Sequence, residues 1–551
     1  MAGAGSTLVD PSVISSGRLR RPVVALPSAP GIAEASGAMV RARGFGLPPE
    51  LALFFSRPTS RSLTVRGPPG AGKTSFALAA LRAFEGVRVY VSSQVPRDDL
   101  VGQFPWLARP DAVPVELVEL LGYRDSDGRS DLRVGPLRDA LQARANDLVE
   151  LAQVLNLPPA LHALLAAHPD EPKMVVVDSW EAWMENLLGP TPLAVAVPTT
   201  RWELERAVLG QITRTGARAI LVAEREEVSR FDYLADGVVE LLAGQVDGRQ
   251  ERWLRLAKLR GTPIDYGTYA FTLEGGLFRS LPPGFSKLGA GPAPFARDPS
   301  PGAPGLWLGS TAWSRWLGRL PDGRSLLVEV DSEVPERIVW ALVLPMIRSA
   351  LDGGGRIVMR PPENVPIGEV LDDLDAGRTD VSERVRLVSA GDRGAPGSLA
   401  ARLSFGPEDR LRSYLAGDPD ATPDAQEVVW QEVALFLGEP RPAVGATDLL
   451  VAFPAAPIGG PGEPADRTDA LLTFPLAGRF PPARLAQVVV ARADDPRTPR
   501  LRARSAMHLS VRGLRGQVGV VGVRPWTPIL VPSFRAAGPD RDDPFELVPI
   551  V

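Results

Sequence analysis

The stretch VRGPPGAGKTSFALAAL, Val65–Leu81, fits the pattern GxxxxGK[ST] between a short apolar strand, SLTV, and an apolar helix with Phe76, Ala79, Ala80 and Phe84 at helical spacing. In Gly67, Pro68, Pro69, Gly70, Ala71, Gly72, Lys73 and Thr74, with Ser75 following, the glycines let backbone N–H groups converge on phosphate oxygens. The helix N-terminus adds its positive dipole end. Lys73 is placed to reach the β and γ phosphates and the Thr74 hydroxyl to ligate Mg²⁺, so the stretch implies ATP with Mg²⁺ as its ligand.

Reading outward, the strands VRVYVSS, MVVVD and ARAILVAE alternate with helical segments, one of them from Trp202 to Thr215. That alternation predicts an α/β fold, a doubly wound, mostly parallel sheet with ligands at the C-terminal strand ends. The apolar run of KMVVVDSWEAW ends in Asp178, which would hold Mg²⁺ opposite Thr74. At 551 residues with 44% apolar and 23% charged residues, the chain is long enough for two or three soluble domains. No apolar run approaches the roughly 18 residues of a membrane span, and the N-terminal residues lack the apolar core of a secretory signal. With no cysteine there is neither a disulfide framework nor a thiolate metal site, and the expected location is cytoplasmic. Net charge is −4, which makes no global case for a nucleic-acid partner; SGRLRRP, residues 16–22, is the one compact basic cluster. All but four of the 61 basic residues are arginine; the lysines are Lys73, Lys173, Lys258 and Lys287.

Residues 1–45 are rich in Gly, Ala, Ser and Pro and read as a flexible tail, and 286–305 have the composition of a linker. Two bodies remain, 46–285 and 306–551. A stripe of Leu137, Leu141, Ala145, Leu148 and Leu151 in the first predicts a core-facing helix. The second body repeats the first. RSLTVRGPPGAGKTSFAL falls on RSLLVEVDSEVPERIVWA (Arg324–Ala341), VRVYVSSQVP on GRIVMRPPENVP, and LAKLRGTPI on VGVRPWTPI (Val521–Ile529). Over Gly67, Gly70, Gly72, Lys73 and Thr74 stand Val330, Glu333, Pro335, Glu336 and Arg337, a set that repels phosphate. Over Lys258 and Arg260 this alignment places Val523 and Pro525. The second body therefore reads as a degenerate domain without a working site.

Together, GPPGAGKTSFALAAL, VVVDSWEAW, ARAILVAEREEVSRFDYLADGVVELL and LRLAKLRGTPIDYGTYAFTLEGGLFR resemble the KaiC-like branch of RecA-fold P-loop ATPases, a branch that includes circadian-clock KaiC and the gas-vesicle regulator GvpD. The resemblance covers most of 46–280 and implies a RecA-like ATP-binding domain followed by a degenerate RecA-like one. It further implies that Lys258 and Arg260 of the K-x-R-G motif reach a neighbour's γ-phosphate in a homo-oligomeric ring, with a hexamer as the candidate size. Members of that branch carry two adjacent glutamates after the second strand to activate water; here Ser93 and Gln94 stand there. Gln94 could still orient a water, and Glu181 and Glu224 are replacement bases, each equally readable as a structural ion-pair partner. The expectation is a regulatory ATP-binding protein with slow hydrolysis and a regulatory protein partner. The alternatives are a recombinase-type DNA-handling ATPase and an interaction scaffold with structural ATP.

Overall fold

Strand β1 (Ser62–Arg66) is buried at every position, and a nine-stranded sheet extends from it in both directions. In the computed structural model, residues 46–109, 114–119, 159–188, 198–225, 227, 230–282, 296–375, 380–387, 436–437, 446–453, 485–534 and 545–551 are described. The predicted tail, the leucine stripe of 137–151 and residues 286–295 of the predicted linker lie outside them. The first sheet also holds β2 (Val87–Ser92), β3 (Glu116–Glu119), β4 (Lys173–Asp178), β5 (Arg218–Ala223), β6 (Gly237–Val246), β7 (Arg249–Leu259), β8 (Thr268–Thr272) and β9 (Arg279–Leu281). Their order is β3-β2-β4-β5-β1-β6-β7-β8-β9, with β1 to β6 parallel and the last three antiparallel.

The near-continuous apolar runs of β4 and β5 are what a parallel strand covered on both faces requires. Helices α1 (Pro49–Ser56), α2 (Lys73–Ala83), α3 (Arg97–Gln103), α4 (Pro159–Ala167), α5 (Trp180–Leu188), α6 (Pro198–Arg214) and α7 (Arg230–Leu234) surround this sheet. On one face Phe76 and Ala80 of α2 pack with Val176 and Ile220; on the other Trp180, Trp183, Val208 and Ile212 pack with Val175, Val177 and Leu221. Alternate residues of the same strands thus face opposite cores, the doubly wound arrangement.

The second sheet contains β10 (Ser325–Val330), β11 (Ile357–Arg360), β12 (Val385–Leu387), β13 (Asp448–Ala452), β14 (Leu485–Arg492), β15 (Met507–Leu514), β16 (Gln517–Arg524), β17 (Ile529–Phe534) and β18 (Phe545–Pro549). With it go α8 (Thr311–Leu317), α9 (Glu336–Asp352), α10 (Ile367–Asp375), α11 (Val381–Arg384) and α12 (Thr498–Arg504). The strand order β12-β11-β13-β14-β10-β15-β16-β17-β18 is that of the first sheet shifted by nine, so the α/β fold is built twice. The expected start of α9 over that of α2 holds, Glu336 standing at the position of Lys73.

One alignment needs correction. Both hairpins carry a bulge at the same place: Val238 pairs Lys258 but Val239 pairs Leu256, and His508 pairs Arg524 but Leu509 pairs Gly522. The residue at the register of Lys258 is therefore Arg524, not Val523, and Trp526 follows at that of Arg260. The bulge is common to both hairpins; the offset arises after it, where two residues separate Arg524 from Thr527 but three separate Lys258 from Thr262, so an alignment anchored on the shared Thr-Pro-Ile slips by one. The contacts repeat as well: Lys258 Nζ donates to Ala235 O at 2.7 Å, and Arg524 Nη1 donates to Ser505 O at 2.8 Å.

The two sheets belong to one compact unit. They meet through the antiparallel strands. Leu254, Tyr269 and Phe271 face the first lobe's own core, while their neighbours Trp253 and Ala270, with Leu281, turn the other way and are buried against Val521, Ile529, Val531 and Val548. Arg249 adds polar contacts, donating from Nε to Thr527 O at 2.7 Å and from Nη2 to Gly522 O at 2.8 Å.

A buried ion pair is also repeated, with its polarity reversed. At the end of β1 Arg66 pairs with Asp232 of α7, at 3.2 Å, and with Glu240 of β6. At the matching place on β10 stands Glu329, paired with Arg502 of α12 at 2.6 Å and His508 of β15 at 2.9 Å. Burial alone would raise the Glu329 carboxyl, but hydrogen bonds from His508 and Arg502 outweigh it and hold its pKa at about 2. A depressed carboxylate contributes stability above its unfolded pKa and loses it as pH falls through the folded one. The second lobe should therefore lose stability between about pH 4.5 and pH 2. Denaturant titrations of wild type and Glu329→Gln across that range should converge as pH falls; a constant gap would contradict the assignment.

Candidate functional site

The turn from β1 into α2 requires glycine at two points for different reasons. Gly67 has φ 152°, and a Cβ there would lie 2.2 Å from Leu241 O of β6. Gly72, at φ 94°, precedes the first helical residue, and a Cβ would press on the Leu273 side chain at 3.0 Å. Gly67 N donates to Arg225 O at 3.2 Å, tying the loop to the segment after β5. Lys73 is buried, and its ammonium donates to Gly67 O at 2.7 Å and Pro68 O at 3.0 Å, closing the loop over the helix start.

Thr74 and Asp178, far apart in sequence, meet here. Thr74 Oγ1 donates to Asp178 Oδ2 at 2.7 Å, and Tyr90 Oη donates to the same oxygen at 2.6 Å. Strand pairing explains the convergence, since β2 lies beside β4 with Tyr90 opposite Val176 and Ser92 opposite Asp178. Burial pushes the Asp178 carboxyl up, and hydrogen bonds from Tyr90 and Thr74 with the charge of Lys73 offset part of that. Burial, then Asp178, push the Tyr90 phenol well above its ordinary value, so it remains a donor. A threonine that gives its proton to the aspartate turns its lone pairs outward, the orientation that metal ligation needs. Sequence reading missed Tyr90; its signal was a polar tip on a strand otherwise buried among apolar residues.

The other singled-out residues are placed as follows. Ser93 is buried; its hydroxyl donates to Ser179 O at 2.8 Å and accepts from Ser179 N at 2.9 Å, so it pins the turn after Asp178. Gln94 is exposed. Glu181 accepts from Arg225 Nε at 2.7 Å and from Glu224 N at 3.0 Å, while the Glu224 side chain is exposed. Ser75, Ala79 and Arg82 of α2 line a groove with Trp106, Leu277, Phe278 and Arg279, next to the loop. Lys258 donates to the carbonyls of Asp232, Tyr233 and Ala235 at the end of α7. Arg260 pairs with Asp236 at 3.3 Å and is 63% exposed. Both lie at the opposite end of β7 from the loop, because β7 runs antiparallel to β1's neighbour β6 and Lys258 pairs with Val238, near the start of β6.

At the corresponding place in the second lobe, Glu336 accepts from Asn364 N at 2.9 Å and pairs with Arg492 at 3.5 Å. Arg492 also donates to Ser332 O at 3.2 Å. The chain's own side chains thus fill the position of the cradle, and β13 ends at Ala452, followed by Phe453, where β4 ends at Asp178.

Because burial makes the ionised Asp178 costly, Asp178→Asn should stabilise the fold by about 0.5–2 kcal/mol while keeping both hydroxyl bonds. Asp178→Ala, which strands the Tyr90 and Thr74 hydroxyls, should not. Urea unfolding of the two variants checks this; a destabilised Asn variant would contradict the reading.

The family model described as "GvpD gas vesicle protein, P-loop domain" matches residues 51–257, the segment that contains the cradle and Asp178 and ends one residue before Lys258. Among curated proteins, the chain is 27% identical to Protein GvpD2 of Halobacterium salinarum over 368 residues, 65% of this chain and 67% of that protein. It is also 27% identical to Protein GvpD1 of the same organism over 337 residues, 60% of this chain and 58% of that one. The chain thus matches about three-fifths to two-thirds of these relatives' length, and the similarity runs well beyond the P-loop domain. Residues 51–257 are thus similar to the GvpD P-loop domain, and the cradle has the geometry of a P-loop.

Proposed function

We propose that the chain is a nucleotide-controlled regulatory protein of the KaiC-like RecA type, acting in gas-vesicle regulation, with one ATP site in a first domain of residues 46–285. Among the described residues of the second domain, 306–551, no such cradle is found, and Glu336 stands at the position of Lys73. The observation that supports this most is the meeting of Thr74, Asp178 and Tyr90 beside a loop in which Gly67 and Gly72 leave no room for a side chain. In this reading the loop amides and Lys73 bind the β and γ phosphates, and the groove beside Ser75 and Trp106 takes the base. Thr74 and Asp178 would hold Mg²⁺, which neutralises phosphate charge when bound. Lys73 would exchange its two carbonyl partners for phosphate oxygens, a stronger charge-assisted contact.

Turnover is slow in this proposal. Ser93 spends its hydroxyl on Ser179, Gln94 has no carboxylate, and Glu181 is already paired with Arg225. Loss of a general base removes about 10²–10⁴ in rate. Assembly is part of the proposal too. Arg260 and Lys258 are too far along β7 to serve their own cradle, so they would act on that of a neighbouring chain in a ring, and a protein partner would read the ring's nucleotide state.

Lys73→Ala should weaken binding of a fluorescent ATP analogue roughly 10- to 100-fold, the loss of one charge-assisted contact. Gln94→Glu, at an exposed position that disturbs no buried bond, should raise ATP turnover. Unchanged affinity in the first variant would refute the site, and fast wild-type hydrolysis would refute the switch.

A further inference from the structure

Arg252 stands on β7 opposite Ala243, on the same strand face as Leu254 and therefore on the side of α2 and the phosphate loop. Its guanidinium is shared between the lobes: Nη1 donates to Gly70 O at 3.0 Å, and Nε donates to Val551 O at 2.7 Å. Loop amides that converge on phosphate leave their carbonyls facing outward, and Gly70, at φ 75°, has no atom near where its Cβ would be. Arg252 thus braces the loop from behind, at its open apex. Two more contacts from the second lobe end on segments that frame the cradle. Arg279, which borders the groove with Ser75, is gripped by Glu546 of β18 at 3.0 and 3.3 Å. Glu274, next to the Leu273 that abuts Gly72, pairs with Arg315 of α8 at 2.7 Å.

We propose that Arg252 is a positioning residue for the phosphate cradle whose orientation is set by the docked end of β18, so that nucleotide binding in the first lobe and docking of residues 545–551 are linked. The inference rests on the nucleotide-binding reading above. Linkage is reciprocal: whatever tightens the loop tightens the strand end, and the converse. The second lobe then acts on the first lobe's site.

The test uses the full-length chain with Mg²⁺ and a non-hydrolysable ATP analogue, combining calorimetry with amide hydrogen exchange of the peptide covering 545–551. In the wild type, saturating analogue should slow exchange in that peptide severalfold. Arg252→Ala should bind about tenfold more weakly and, when saturated, show no such slowing, whereas a purely structural arginine would change exchange equally with and without nucleotide. Absence of calorimetric binding in the wild type would overturn the nucleotide reading and the linkage with it. Binding with no change at 545–551, or an unaltered response in Arg252→Ala, would overturn the linkage alone.

Discussion

The apolar second face of the closing strands governs this molecule. A strand such as β7, with Trp253 and Leu254 side by side, presents apolar groups to both sides of the sheet, and one side cannot stay wet. The first lobe covers the Leu254 side with its own helices. The Trp253 side is covered by Val521, Ile529, Val531 and Val548, residues from the equivalent strands of the second lobe. Both repeats contribute their three closing strands to the same apolar contact.

That constraint gives a reason for the second lobe to share the fold although Glu336 stands at the position of Lys73. Its sheet order, its hairpin bulge and its tether from Arg524 to Ser505 are retained, since each holds the strands that seal the first lobe. The phosphate-binding residue types are free to change, and Glu336 now pairs with Arg492. Reversal of the buried pair, Arg66 with Asp232 in one lobe and Glu329 with Arg502 in the other, fits the same logic. Packing demands two opposite charges at that place and is indifferent to whether the strand or the helix carries which.

Much of this was legible in the sequence because it is local or periodic. GPPGAGKTS specifies its turn and helix start, MVVVD its buried strand, and the repeated RSL-strand-helix pattern the duplication. The pairing of Thr74 with Asp178 followed from two local motifs. Tyr90 and Arg252 were not legible, because their roles depend on strand neighbours: β2 beside β4 in one case, the end of β18 beside the loop in the other. Arg252 was also hidden in a chain where nearly every basic residue is arginine. The equivalence of Lys258 with Arg524 was off by one because the match was anchored on Thr-Pro-Ile, and the second repeat has one residue fewer between Arg524 and Thr527 than the first has between Lys258 and Thr262.

The central proposal is that a duplicated fold carries one working cradle, that of the first lobe, supported by the second. Isothermal calorimetry of the full-length chain with a non-hydrolysable ATP analogue and Mg²⁺ measures this directly through the stoichiometry. The account predicts one nucleotide per chain; two per chain, or one that survives unchanged in Lys73→Ala, would contradict it.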